Sequence, residues 1–313
     1  MGNEVLHMSQ QEYKLGVLYT AGAYVLWGIL PLYWKMVQVV PAAEILAHRI
    51  VWSFLFMMLI VFFTKNWSKF KAECKDIVKH KKKLIGITLA SIMISINWVT
   101  YIWGVNSDHV VEASLGYYIN PLVSIVLGMI VLKEKLTKVQ YISFFLAALG
   151  VGNLIYHFHQ VPWVAIFLAL SFGMYGLLKK TVKLSAMFGL TIETMIVTPI
   201  ALLFLANTHW GGGGSLTISP LVTWLLIGAG VMTAIPLLLF ASGAQRVPLS
   251  MVGFLQYIAP TIMLLFGVFL YDEPFTNVHL VSFTLIWTAL LLYTISKTRL
   301  MSARFATSTK VRG

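Results

Sequence analysis

Two short segments place ionisable side chains among residues that are otherwise almost all apolar. In "AEILAHRIVW", residues 43–52, Glu44, His48 and Arg49 interrupt a hydrophobic run, and in "GLTIETMIVTPIALL", residues 189–203, Glu193 does the same. Glu44 and His48 are four residues apart and so share one face of a helix, while Arg49 turns toward Trp52 and Ser53. A carboxylate beside an imidazole can hand on a proton, and a guanidinium binds anions or dipoles. A carboxylate desolvated without a partner takes up a proton, because an apolar surrounding penalises its charge. Glu193 is therefore a proton-coupling site or one end of an ion pair with a residue such as Arg49, and the sequence leaves both open. Arg49 likewise either ties its helix to neighbouring carbonyls or contacts an anion in a transport path.

Which chemistry applies depends on the medium around these segments. Hydrophobic residues make up 58% of the chain and charged residues 11%, against about a quarter charged in soluble domains. Ten apolar runs have the roughly 17–25 residues that cross a ~30 Å hydrocarbon core: approximately 13–35, 41–63, 84–106, 110–132, 138–156, 162–179, 185–206, 219–243, 248–270 and 277–296. A water-soluble fold has no use for ten such runs in succession. Arg49 then lies eight residues past Pro41, about 12 Å along a helix, and Glu193 ten residues past Lys183, about 15 Å. At such depth a charge faces a cavity or a partner.

The net charge of +12 and pI near 9.7 suggest nucleic acid until the basic residues are placed. With the N-terminus cytoplasmic, all 23 Lys and Arg except Lys35 and Arg49 fall in the N-terminal segment, in 64–83, 133–138, 179–184 and 244–247, or after 296. That is the positive-inside pattern, with both termini cytoplasmic and no nucleic-acid partner implied. The first apolar run is too long for a cleavable signal core, so it stays as the first helix. Cys74 is the one cysteine, and it reads as an inert thiol with no disulfide partner. Around it, Trp67, Phe70, Cys74 and Ile77 recur at helical spacing among lysines, which fits a helix on an anionic leaflet or a solvated basic loop equally. "GGGGS" at 211–215 reads as a flexible outer connector without chemistry.

The chain repeats itself. Residues 117–137 lie over 256–276 at an offset of 139 without a gap, pairing Tyr118 with Tyr257, Pro121 with Pro260, Gly128 with Gly267 and Glu134 with Glu273. "YVLWG" (24–28) resembles "FGMYG" (172–176), and Glu44 meets Glu193 at an offset of 149. Each half holds five spans, and an odd number inverts the second half relative to the first. Inverted repeats of this kind build carriers whose substrate site lies near the midplane between the halves. The expected fold is all-α: ten transmembrane helices as two inverted repeats, about 13–156 and 162–296, with residues 297–313 a cytoplasmic tail.

These features resemble the drug/metabolite transporter superfamily, whose EamA-type repeat ends its fourth helix in Pro, Gly and then Glu. Within it, "GAYVLWGILPLYWK" (22–35), "AHRIVWS" (47–53), "LGYYINPL" (115–122) and "GLTIETMIVTPIALL" (189–203) are similar to the RarD-like branch of chloramphenicol-sensitivity proteins. The resemblance covers about Lys14 to Lys297 and implies a small-solute permease of a bacterial plasma membrane, working without ATP by alternating access around a central cavity. Export is the direction that the resemblance implies; the substrate it leaves open, as a metabolite, amino-acid-like solute or drug.

Arg49, Glu193 and Glu44 are the expected site residues. The polar and aromatic residues Tyr24, Trp27, Asn97, Trp98, Tyr101, Tyr118, Asn120, Tyr175, Gln256 and Tyr257 could line the same pocket, although each alone is a common helix-packing residue. Asp108, His109 and Glu112 sit at the outer mouth of a span, where a wetted rim explains them. Pro31, Pro121, Pro199, Pro236 and Pro260 are expected to interrupt helices, freeing carbonyls or permitting bends.

Other functions lack their residues. No G-x-x-x-x-G-K-[ST] loop occurs, which argues against an ATP-driven pump. The eight histidines are scattered near helix ends, so no metal or cofactor is expected. A lipid-handling intramembrane enzyme using Glu44, His48 and Glu193 is the alternative to a carrier. A non-enzymatic carrier for a small solute, surrounded by lipid and open to proton coupling, is the preferred reading.

Overall fold

The computed structural model describes the backbone of residues 10–106, 110–158, 162–210, 214–272 and 274–310; side chains at 105–106, 110–113, 209 and 297–310 lie outside the description. Asp108, His109 and Glu112, most of the "GGGGS" connector, and the tail side chains therefore fall outside it.

Twelve α-helices account for nearly all of the described chain: α1 Gln10–Met36, α2 Ala42–Phe63, α3 Trp67–Lys79, α4 Lys81–Asn106, α5 Val110–Ile130, α6 Lys138–Phe158, α7 Trp163–Thr181, α8 Ala186–Trp210, α9 Pro220–Arg246, α10 Leu249–Gln256, α11 Ile258–Leu270 and α12 Asn277–Lys310. Among the described residues, nine spans are long and apolar enough to cross a bilayer, with α10 and α11 together forming one of them, and the shorter apolar stretch Ser114–Ile130 makes the tenth. A chain in hydrocarbon must satisfy its backbone polar groups within each segment, which is why apolar runs of this length become helices.

Four of the five prolines behave differently from the sequence expectation. Pro31, Pro121, Pro199 and Pro236 sit inside unbroken helices, each removing a single backbone donor while its neighbours keep helical angles. Only near Pro260 does the helix part, at Tyr257, whose amide donates to Phe254 O at 3.3 Å. Lysines at helix ends make the sharp exits: Lys65, Lys133 and Lys183 have φ of 55°, 54° and 50°, and Asp272, the repeat mate of Lys133, has 52°.

The two repeats interlock. α2 packs on α8, α5 on α10 and α6 on α12, each a helix meeting its own counterpart across the pseudo-two-fold axis, while α1 lies against α9 and α11 as α7 lies against α4 and α5. Contact is close where α2 crosses α9. There Ser53 Oγ donates to Gly230 O at 2.9 Å, and a Cβ on Gly230 would stand 2.3 Å from the carbonyl carbon of Trp52. Glycine is required at that crossing, and the crossing sits one turn from Arg49.

α3 makes a helix of the Lys-rich segment. Its Phe70 and Ile77 are buried against Val61, Ile87, Leu184 and Phe188, so the apolar stripe covers the ends of other helices while Lys69, Lys71, Lys75 and Lys79 face outward. Trp67, at the start of the same stripe, stays 40% exposed.

Candidate functional site

Arg49 stands between the repeats. From α2 its Nε donates to Thr233 Oγ1 of α9 at 2.9 Å, and Thr233 donates its own proton to Ala229 O at 2.8 Å, leaving the hydroxyl oxygen free to accept. The guanidinium carbon lies 4.6 Å from the ring centre of Trp34 and 5.4 Å from that of Trp98. Each such contact contributes about 0.5–2 kcal/mol, the more so when desolvated. The phenols of Tyr101 and Tyr117, whose rings meet edge-on at 6.1 Å, lie within electrostatic reach. Among the described residues no Asp or Glu pairs with Arg49. Its two Nη groups have no protein partner there, and neither is sealed off from solvent.

Glu193 meets a different cation. Lys179 Nζ of α7 donates to Oε1 at 2.6 Å and Tyr175 OH to Oε2 at 3.2 Å. Lys179 is 6% exposed and Glu193 2%, so both charges depend on each other for their desolvation to be tolerable. Beside them, Ser185, Gln245 and Ala90 help to line a cavity of about 10 Å³, room for roughly one water. α7 and α8 are joined by a four-residue connection and both pack on α4; Lys179 lies in the last turn of α7 and Glu193 about two turns into α8, a gap that the long lysine side chain spans.

Glu44, the repeat mate of Glu193, is also buried, at 1% exposure, and is held by Ser215, whose amide donates at 2.7 Å and hydroxyl at 2.6 Å. The His48 Nε2 lies 3.8 Å from its Oε1. The connector expected to carry no chemistry thus supplies both donors to this carboxylate, because Glu44 lies in the first turn of α2 and within reach of Ser215, between α8 and α9.

The remaining expected residues fall into three groups. Trp98 and Tyr101 join Arg49, with Trp34, Tyr117 and Thr233 as companions the sequence did not single out. Tyr24, Trp27 and Tyr175 assemble with Phe172 and Phe240 into an aromatic cluster with centroids 5.2–6.1 Å apart; Tyr24 and Tyr175 are core. The others tie helices together. Asn97 donates to Leu168 O at 2.9 Å and Ser171 Oγ at 3.0 Å, Ser124 donates to Gln256 Oε1 at 3.3 Å, Asn120 is buried in α5, Tyr118 meets Phe283 edge-on, and Tyr257 packs with Ala147, Val151 and Ile286. Among the described residues no cluster of three His, Cys, Asp or Glu is placed to hold a metal.

Comparison with known proteins places this geometry in a family. The model of the EamA-like transporter family matches twice, over residues 14–156 and 161–295. The chain belongs to that family. A protein of Bacillus subtilis (strain 168), named uncharacterized transporter YojE, is 49% identical over 294 residues, covering 93% of this chain and 97% of the relative. Protein RarD of Escherichia coli (strain K12) is 40% identical over 287 residues, covering 91% and 96%. A solved crystal structure superposes with a TM-score of 0.68 at 14% identity, covering 90% of this chain and 97% of that one, which supports the fold alone. The chain is thus a multi-pass bacterial membrane transporter of the drug/metabolite class.

The EamA repeat also explains a carboxylate that the sequence marked only as a repeat signature. The left-handed turn at Lys133 aims Glu134 across to the second repeat, where its oxygens accept from Leu249 N at 2.6 Å and Ser250 N at 2.9 Å. On the same corner Lys180 donates to Ala244 O at 3.2 Å and Val247 O at 2.5 Å. A carboxylate at the start of α10 and an ammonium at the end of α9 both match the helix dipoles. Glu273, the mate of Glu134, lies outside the described residues. Glu134→Ala is expected to lower stability by about 1.5–3 kcal/mol, the worth of hydrogen bonds to a charged group, seen as a lower melting temperature in detergent, and Glu134→Gln by less. An unchanged melting temperature for the alanine variant contradicts this assignment.

Proposed function

We propose that this protein is a secondary carrier that exports a small metabolite, amino-acid-like solute or drug across the bacterial plasma membrane, by alternating access about the contact between its two repeats. The observation that carries the reading is Arg49: a cation within a membrane span, without a carboxylate partner among the described residues, held by the second repeat and boxed by aromatic rings of the first. A charge in such a place is costly unless it meets a solute or a partner, and its Nη groups are open to one. Glu193 with Lys179 supplies a second buried charge pair, suited to exchanging a proton through the adjoining water-sized cavity. Family membership and the relatives' transporter names support transport, and the interlocked inverted repeats support rocking of one half against the other.

Reconstitution tests the carrier directly. Purified protein in liposomes should move a solute down its gradient without ATP, show counterflow, and respond to an imposed pH gradient if protons are coupled. Complete absence of counterflow across a broad panel of small solutes contradicts the proposal, and chemical conversion of lipid by the same preparation favours the enzyme alternative.

Both termini are proposed to be cytoplasmic, on the placement of the lysines. Cys74, in α3, is a native probe. Burial, and next the Glu73 carboxylate, push its thiol above the ordinary cysteine range, so thiolate is scarce at neutral pH. Labelling in inside-out vesicles should be slow at pH 7 and accelerate as pH rises, and right-side-out cells should stay unlabelled by an impermeant reagent. Labelling in intact cells reverses the topology.

A further inference from the structure

We infer that the site at Arg49 takes a planar monocarboxylate carried on a flat apolar body, an inference that rests on the carrier reading above and narrows it to a ligand class.

The argument begins with the donors of the guanidinium. It has five N–H groups in a rigid fork, and Thr233 uses the one on Nε. What remains free is the Nη1/Nη2 edge, whose two parallel N–H bonds match the two oxygens of a carboxylate. Trp34 and Trp98 lie against the cation at 4.6 Å and 5.4 Å, and a ligand is left the Nη edge, where no protein acceptor sits among the described residues. Two parallel N–H bonds there favour a two-oxygen anion over a neutral dipole with a single acceptor. Net charge points the same way. With no Asp or Glu paired to Arg49 among the described residues, a monoanion neutralises the site, whereas a cation adds a second unpaired positive charge in a poorly solvated place.

The walls set the rest of the ligand. The indole of Trp98, backed by Ala47, Ile50 and Ala201, and the rings of Tyr101 and Tyr117, which meet edge-on at 6.1 Å, offer apolar surface next to the fork. The Tyr101 and Tyr117 hydroxyls lie within hydrogen-bond reach of each other, which leaves one O–H that a second polar group could use, and among the described residues no second fixed charge lies beside them. The arrangement suits one negative charge at one end and an aromatic or otherwise planar apolar body at the other.

The test is a thermal-shift titration of the full-length purified protein with benzoate and phenylacetate, each against its own amide, benzamide and phenylacetamide, and against benzylamine. Binding to the native state raises the melting temperature by mass action. The expected result is stabilisation by the carboxylates, with affinity for the amides and the amine weaker by roughly tenfold or more, as loss of a charge-assisted bidentate pair implies. Arg49→Gln should abolish the carboxylate effect, and Arg49→Lys, which keeps the charge but not the fork, should retain only part of it. Equal stabilisation by amide and carboxylate overturns the proposal, as does a carboxylate effect that survives in Arg49→Gln or no effect of either carboxylate at millimolar concentration. Should Arg49→Gln fail to fold, the Arg49→Lys comparison and the amide comparison on the unaltered protein decide the matter. Dioleoyl phosphatidylglycerol is included in a separate arm: if it alone stabilises the protein and blocks the carboxylate effect, the site holds a lipid headgroup and the proposal is overturned. Flux of the same carboxylates is measured in liposomes alongside. Arg49-dependent binding without flux of these or any solute overturns the carrier reading and leaves the ligand class standing, while flux of other solutes with no Arg49-dependent carboxylate binding does the reverse.

Discussion

Arg49→Gln is expected to insert, purify as a single species and melt close to the unaltered protein, yet to lose transport by roughly tenfold or more. The substitution removes the guanidinium's hydrogen bond to Thr233 and two ring contacts, and among the described residues it strands no buried carboxylate. Gln can still donate to Thr233. Folding therefore feels a modest change, while a substrate loses a charge-assisted contact of about 1.5–3 kcal/mol, which is tenfold or more in affinity. Expression level, size-exclusion profile, melting temperature and liposome flux on one preparation check the prediction. Full transport by Arg49→Gln removes Arg49 from the path, and an aggregated product would mean that the residue serves the fold.

The opposite pattern is expected for the ion pair one helix away. Lys179→Met leaves Glu193 buried opposite an apolar chain, and breaking one side of a buried pair costs about 3–5 kcal/mol. Poor expression or a sharply lower melting temperature should follow. Glu193→Gln should be milder, since its amide still meets the Tyr175 hydroxyl, and Lys179→Met with Glu193→Gln together should recover stability, because no uncompensated charge remains. Transport then separates a structural pair from a coupling one. If Glu193 carries the proton, Glu193→Gln should lose the pH dependence of net flux while keeping solute exchange, which needs no net proton movement. Additive losses in the double variant refute the pairing, and an unchanged pH profile in Glu193→Gln removes the proton role.

The contrast between these two residues marks how far the sequence alone can be read. Arg49 and Glu193 were both legible as charges deep in apolar spans, and the two could be imagined as partners. The fold gives each another companion. Lys179 is in the last turn of α7, among lysines that the positive-inside pattern counts as cytoplasmic, and nothing in its spacing says that it turns inward. Its reach to Glu193 depends on the rotation of α7 against α8, which side-chain packing sets. Ser215 is a sharper case: it ends a glycine run that looks featureless, and it becomes the donor to Glu44 only because the tertiary structure sets it against the start of α2.

What the sequence determined by itself was whatever depends on residues near one another along the chain. The ten spans, their inversion by an odd count, the internal repeat at offsets of 139 and 149, and the helical character of nearly every described residue follow from local hydrophobicity, because hydrocarbon leaves the backbone no option except internal hydrogen bonding. What only the tertiary structure decided was which side chains meet: Thr233, Trp34 and Tyr117 around Arg49, Lys179 against Glu193, and Glu134 on the first amides of α10. Each of these contacts crosses between helices, most of them between repeats, and depends on how the helices are rotated about their axes. A run of apolar residues specifies a helix in a membrane but encodes its facing weakly, and it takes close contacts such as Gly230 against the backbone of Trp52 to fix it.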